Sequence, residues 1–163
     1  MCLDAKRHAT ENLRKKMKKN GGKIVVYKTV LRSGNQHGSR LKTPYRGKEI
    51  SPGWLVSDRI PDKISFRCND ENRSKKMYDY DDKTNPNRDY YYDNQNVVGV
   101  DHGIHVFVTL DDAKCECLDG EKVVSCIAYL KDFVAAGDFF SSKSAVFNKV
   151  FVPEKEYNRV LKE

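Results

Sequence analysis

Thirteen residues, Asp101 to Ala113, constrain the fold of this chain more than any other segment. They read Asp-His-Gly-Ile-His-Val-Phe-Val-Thr-Leu-Asp-Asp-Ala. Gly103 marks a turn, and the β-branched and aromatic run Ile104 to Thr109 predicts a strand. Thr109 then predicts a helix start near Leu110. A threonine hydroxyl there can accept from an amide of the first turn, and Asp112 puts an acid where the helix dipole is positive. Turn, strand and capped helix in so short a stretch demand a fold that mixes both kinds of element.

The flanking sequence extends that pattern. A helix is predicted over residues 4–19, with Asp4 as N-cap and an apolar stripe of Ala9, Leu13 and Met17. Asn20-Gly21-Gly22 stops it. Strands are predicted from Lys23 to Arg32, at Val97–Val100 and from Lys122 to Leu130, with a single late strand from Ala145 to Val152 that Pro153 ends. Residues 33–39 read as a turn or mobile loop, and residues 40–68 as short strands with loops, one of them near Ile64–Cys68. Trp54 is expected in the core. The helix after Thr109 should run to about Cys117 and stop at Asp119-Gly120. Val134–Asp138 reads as a turn with apolar flanks, and residues 154–161 as a last helical turn or two. The expected class is α+β, a mixed, mainly antiparallel sheet with a few short helices.

At 163 residues, 39% hydrophobic and 33% charged, the chain fits one domain over 1–163 with a core of modest size. Residues 69–94 fall outside that core. Five tyrosines there sit among seven acids and five Lys/Arg, which predicts a surface insertion. No run approaches the roughly 18 apolar residues that cross a bilayer, and no membrane partner is expected. The first residues, Met1-Cys2-Leu3-Asp4-Ala5-Lys6-Arg7, lack the apolar stretch of a signal peptide. Five cysteines, an odd number with Cys115 and Cys117 two apart and Cys2, Cys68 and Cys126 scattered, fit free thiols in a reducing compartment.

Net charge is +7, and residues 1–20 hold seven Lys/Arg against two acids. The helical cations Arg14, Lys15, Lys18 and Lys19 therefore read either as a solvated face or as a surface for nucleic acid. Tyr90, Tyr91 and Tyr92 supply contact area for a host protein or, beside basic groups, for unpaired bases. The local excess of acid favours a protein for the tyrosine segment.

Phosphate-loop, dinucleotide, serine-elbow and H-E-x-x-H signatures are absent, as is C-x-x-C. What remains for catalysis is a set that only tertiary structure could assemble. Lys28 and Arg32 would neutralise a phosphate, and His105 or His102 would act as general acid or base. On a strand His102 and His105 point to opposite faces, and Cys115 and Cys117 are too close in sequence for a usual zinc pair. No metal and no cofactor is expected.

Three blocks, Tyr27-Lys28-Thr29-Val30, Gly103 to Ala113 and Val123-Val124-Ser125-Cys126, resemble small uncharacterised accessory proteins of phages and large DNA viruses. The resemblance implies a viral protein acting in the cytoplasm of an infected cell, and no particular reaction. Two functions lead after the sequence, ahead of a purely structural role such as a virion component. The first is a small intracellular binding or accessory protein that contacts a host protein or nucleic acid. The alternative is a small enzyme on a nucleotide or phosphodiester with a histidine general acid/base.

Overall fold

In the computed structural model, residues 3–35, 38–61, 64, 66 and 97–163 are described. The β-branched run that opens at Lys23 builds the longest strand, β2 (Lys23–Asn35), around which the others assemble. Before it come β1 (Leu3–Lys6) and α1 (Arg7–Lys19). After it come β3 (Gly38–Lys42), β4 (Glu49–Ile50), β5 (Gly53–Val56), β6 (Val97–Val100) and β7 (Ile104–Phe107). The chain continues through α2 (Leu110–Cys115), β8 (Glu121–Tyr129), a 3-10 turn (Leu130–Asp132), β9 (Phe133–Phe139), β10 (Ser142–Phe147), β11 (Lys149–Val152) and α3 (Glu154–Lys162). The strands form one sheet in the order β5-β11-β8-β2-β7-β10-β9-β1-β6, with β3 on β2 and β4 on β3. Every pairing between described strands is antiparallel, so the expected mixture narrows to one sense within a sheet-dominated α+β fold.

Strand alternation divides the side chains between two faces. On one, Ile24, Val26 and Val30 of β2 join Val124, Cys126 and Ala128 of β8, Ile104 and Val106 of β7, and Val150 and Val152 of β11 in a single cluster. Leu13 and Met17 of α1 and Tyr157 and Val160 of α3 complete it. Each large apolar side chain so buried contributes about 1.5–3 kcal/mol. Thr10 ties α1 to the sheet: its hydroxyl donates to the Ala136 carbonyl and accepts from the Ala136 amide, both at 3.0 Å. A smaller cluster of Leu3, Ala5, Val100, Ala135 and Val146 lies apart, with Ile64 and Phe66 packed against it.

Several local readings are overturned by pairing. Asp4 is not a cap; it sits inside β1, which is hydrogen-bonded to β6 on one side and β9 on the other, and α1 starts at Arg7. Val134–Asp138 is not a turn but the middle of β9, held between β10 and β1. Its small residues admit the neighbour, since a Cβ on Gly137 would fall 1.9 Å from the Asp4 carbonyl oxygen. The late strand is two strands. At Asn148 the chain leaves β7 and β9 for β5 and β8, its amide donating to the Asp132 carbonyl and its carbonyl accepting from Ser57, each at 2.8 Å. The expected loop after Arg32 is instead the continuation of β2 into a hairpin with β3, although residues 36–37 lie outside the described residues. Ile64 and Phe66 are not in a strand; residues 65, 67 and 68 are outside the described set. The final helix spans nine residues.

Thr109 does cap α2: its Oγ1 accepts from the Asp112 amide at 3.1 Å and donates to the Asp112 carboxylate at 2.6 Å. The helix is shorter than its apolar pattern predicts and ends at Cys115. Among the described residues no helix is long and apolar enough to cross a membrane.

Candidate functional site

Two surfaces carry candidate functional side chains, and both follow from how β2 is paired. Along one edge β2 matches β8 residue for residue from Lys23 to Leu31. Along the other it meets β7 at one pair, Tyr27 with Phe107, and takes up β3 only from Leu31. Between those two partners the strands part, and a cleft of about 100 Å³ opens beside Lys28 and Thr29. The turn between β3 and β4, the segment after β5 and the Asp101–His105 stretch form its other walls.

Lys28 belongs to the core face of β2 yet carries an ammonium. Its Nζ donates to the His105 carbonyl oxygen at 3.0 Å, an acceptor on the parted strand β7. Burial pushes its pKa down to about 8, and none of the described carboxylates lies within ion-pair distance of it. Around the mouth stand Arg46, Lys48 and Arg59. Lys48 is neutralised by Asp58 at 2.6 Å, and that contact holds the Asp58 carboxyl below its usual range. Arg46 and Arg59 are exposed.

The two histidines differ. His105 is buried, with Nε2 2.9 Å from the Val100 carbonyl oxygen and Nδ1 3.2 Å from that of Gly103. A neutral imidazole has one N–H, and the shorter contact assigns it to Nε2. Burial lowers the His105 pKa, and the neighbouring Lys28 charge lowers it further. The ring thus stitches the end of β6 to the start of β7, and neither nitrogen is open to a substrate. His102 faces the cleft rim, with Nε2 3.2 Å from Arg59 Nη1 and 3.4 Å from Asp101 Oδ1. Its Nδ1 is buried and has no hydrogen-bond partner among the described residues. Gly103 between them is obligatory: its φ is +100°, and a Cβ would lie 2.4 Å from Val146 Cγ1.

Of the residues singled out for catalysis, the fold therefore brings Lys28, His102 and His105 together and leaves Arg32 out. Arg32 is about 13 Å further along the strand, where its guanidinium donates to Ser39 Oγ across the β2–β3 hairpin at 3.1 and 3.3 Å. The basic helical group Arg14, Lys15, Lys18 and Lys19 is exposed, and the Arg14 guanidinium also lies over the Phe133 ring, 5.6 Å from its centroid. Tyr90, Tyr91 and Tyr92 lie outside the described residues. Among the described residues no three His, Cys, Asp or Glu side chains gather as a metal site.

The second surface is the opposite face of the sheet, and its residues escaped the sequence reading. Register pairs Trp54 with Phe151, Phe151 with Ile127 and Ile127 with Val25, so an apolar row crosses four strands. Trp54 was expected in the core; it is 47% exposed, because Leu55 takes the inward position of β5 and alternation turns its neighbours out. Val25 and Val56 are each 51% exposed. Trp54 packs edge-on to Phe151 at 5.3 Å and against Tyr129 at 5.7 Å between ring centroids. Three lysines border these rings. Lys149 lies over Trp54 at 4.4 Å, Lys131 over Tyr129 at 5.9 Å, and Lys23 is the cross-strand partner of Tyr129. The sequence signal for this face is alternation: Lys149-Val150-Phe151-Val152 buries both valines and turns the phenylalanine outward, and β8 does the same with Ile127 and Tyr129.

No protein-family model, no curated protein and no solved structure matches this chain.

Proposed function

We propose that this chain is a small accessory binding protein of the viral kind, and that it takes up single-stranded nucleic acid on the open sheet face. The observation that carries the reading is a cluster of rings on this face, exposed at Trp54 and half-buried at Phe151 and Tyr129, with Lys149, Lys131 and Lys23 on its border. Unpaired bases stack on such rings, and the ammonium groups meet the phosphates between them. A partner with an acidic surface would use the lysines but has no need of flat rings. The net charge of +7 and the exposed cations of α1 draw a polyanion toward the same molecule. Stacking on one ring contributes about 1–3 kcal/mol per base.

Trp54 is the chain's one tryptophan, so its own emission reports on the site. Titration with oligouridylate and oligothymidylate should quench that emission, and log K should fall with log salt with a slope near −2 for roughly three phosphates displaced. Phe151→Ala, read by the same emission, should weaken binding roughly 5- to 150-fold. An emission unchanged at saturating oligonucleotide would refute the reading. So would a change in emission that depends only on protein concentration, since that would assign the apolar row to contact between copies of the chain.

A further inference from the structure

The cleft between β2 and β7 is separate from the ring face, because β5 presents Leu55 to the cleft and Trp54 to the other side. We propose that this cleft binds the phosphate group of a small phosphate monoester. Four cations, Lys28, Arg46, Lys48 and Arg59, face two carboxylates, Asp58 and Asp101. Asp58 is already taken up by Lys48. Asp101 stands beside His102 at 3.4 Å. With the Lys48–Asp58 pair set aside, Lys28 at the floor and Arg46 and Arg59 at the mouth outweigh Asp101 by two charges, which matches a dianion better than a single carboxylate.

The geometry explains why a lysine occupies a core-facing strand position at all. Burying an ammonium without a counter-ion is unfavourable, and one carbonyl contact does not replace the water it gave up. A bound dianion would supply the missing charge. The free space of about 100 Å³ holds roughly three waters, which suits one phosphate group with whatever it carries left at the open mouth. His102 and Arg59, in contact at 3.2 Å, would then bracket the entrance.

The test uses the whole chain, with calorimetry and thermal unfolding in sodium phosphate and in adenosine monophosphate, each against sodium acetate at matched ionic strength. Both phosphate ligands should raise Tm while acetate does not. Arg46→Ala and Arg59→Ala change exposed side chains and should leave the fold intact, yet each should weaken phosphate binding about tenfold. Arg32→Ala, on the hairpin, should bind as the unaltered protein does. Equal affinity for the two ligands would identify the phosphate group alone as what is read; tighter binding of the nucleotide would place its sugar or base at the mouth. Trp54→Ala should not alter phosphate affinity, so this site and the nucleic-acid face can fail separately. Stabilisation by acetate equal to that by phosphate, or unchanged affinity in both Arg46→Ala and Arg59→Ala, would overturn the proposal.

Discussion

Replacing Lys28 by Met removes an ammonium that the fold holds where β2 and β7 part. Its pKa falls from 10.5 to about 8 through burial, so the charged form is disfavoured in the folded chain by about 3 kcal/mol at neutral pH. Against this, the substitution strands the His105 carbonyl, at a cost of about 1–3 kcal/mol. Near neutrality the two terms largely offset each other, and the informative quantity is the pH dependence. The folded pKa lies below the unfolded one, so the unfolded chain binds more protons between about 8 and 10.5, and stability rises with pH across that window. Cys126 acts in the opposite sense. Burial pushes its thiol up to about 12 from 9.0, so stability is lost as the unfolded thiol ionises. Lys28 lowers the Cys126 pKa, so Lys28→Met raises it further; the folded thiol stays protonated in both proteins up to about pH 10, and its effect cancels over that range. Urea unfolding of the two proteins at matched pH should show the parent gaining about 2–3 kcal/mol on Lys28→Met between about pH 7 and pH 10. A difference that stays flat across this range would refute a desolvated ammonium at Lys28, and with it the physical reason given for the cleft's attraction to anions.

Gly103→Ala should cost at least about 2 kcal/mol, since the residue combines a φ of +100° with a Cβ position 2.4 Å from Val146 Cγ1; a Tm lower by roughly 4 °C or more is the expected reading. Thr109→Ala removes the cap of α2 and should cost about 1 kcal/mol, with faster hydrogen exchange at the Asp112 amide as its local signature. Hydrogen bonds from Arg159 and Ser125 hold the Glu156 carboxyl down to about 2 from 4.5, so its contribution is complete above the ordinary value and is lost as pH falls toward about 2. Glu156→Gln should therefore flatten the acid limb of an unfolding curve followed by circular dichroism.

What could be read locally was read correctly where the deciding interaction is itself local. The Thr109 cap joins residues three apart, and the Leu13–Met17 stripe of α1 is a matter of helical spacing. The strand at β8 announces itself by its β-branched run. The misreadings share one cause. Leu3–Lys6 has no strong strand character, and Val134–Asp138 is small and glycine-containing, yet each is a strand because the other pairs with it, Asp4 with Asp138 and Ala5 with Gly137. A single apolar run from Ala145 to Val152 carries no mark of the break at Asn148, which exists because two different sets of strands claim its halves.

The same division holds for the candidate site. Side-chain chemistry alone marked Lys28, His102 and His105 as the groups to watch. It also included Arg32, which strand spacing then carried away to the hairpin. Arg46 and Arg59 join the cleft only because the loops after β3 and β5 fold back over the gap. The sequence by itself determined the α+β class, the capped helix, a strand from Lys23 to Arg32 and the excess of positive charge, since composition, caps and periodicity act within a few residues. Tertiary structure alone decided which strands meet, that Trp54 faces outward, and that His105 is buried with its Nε2–H donating to the Val100 carbonyl. Those outcomes depend on pairings between residues far apart in the chain, whose partners no local pattern names.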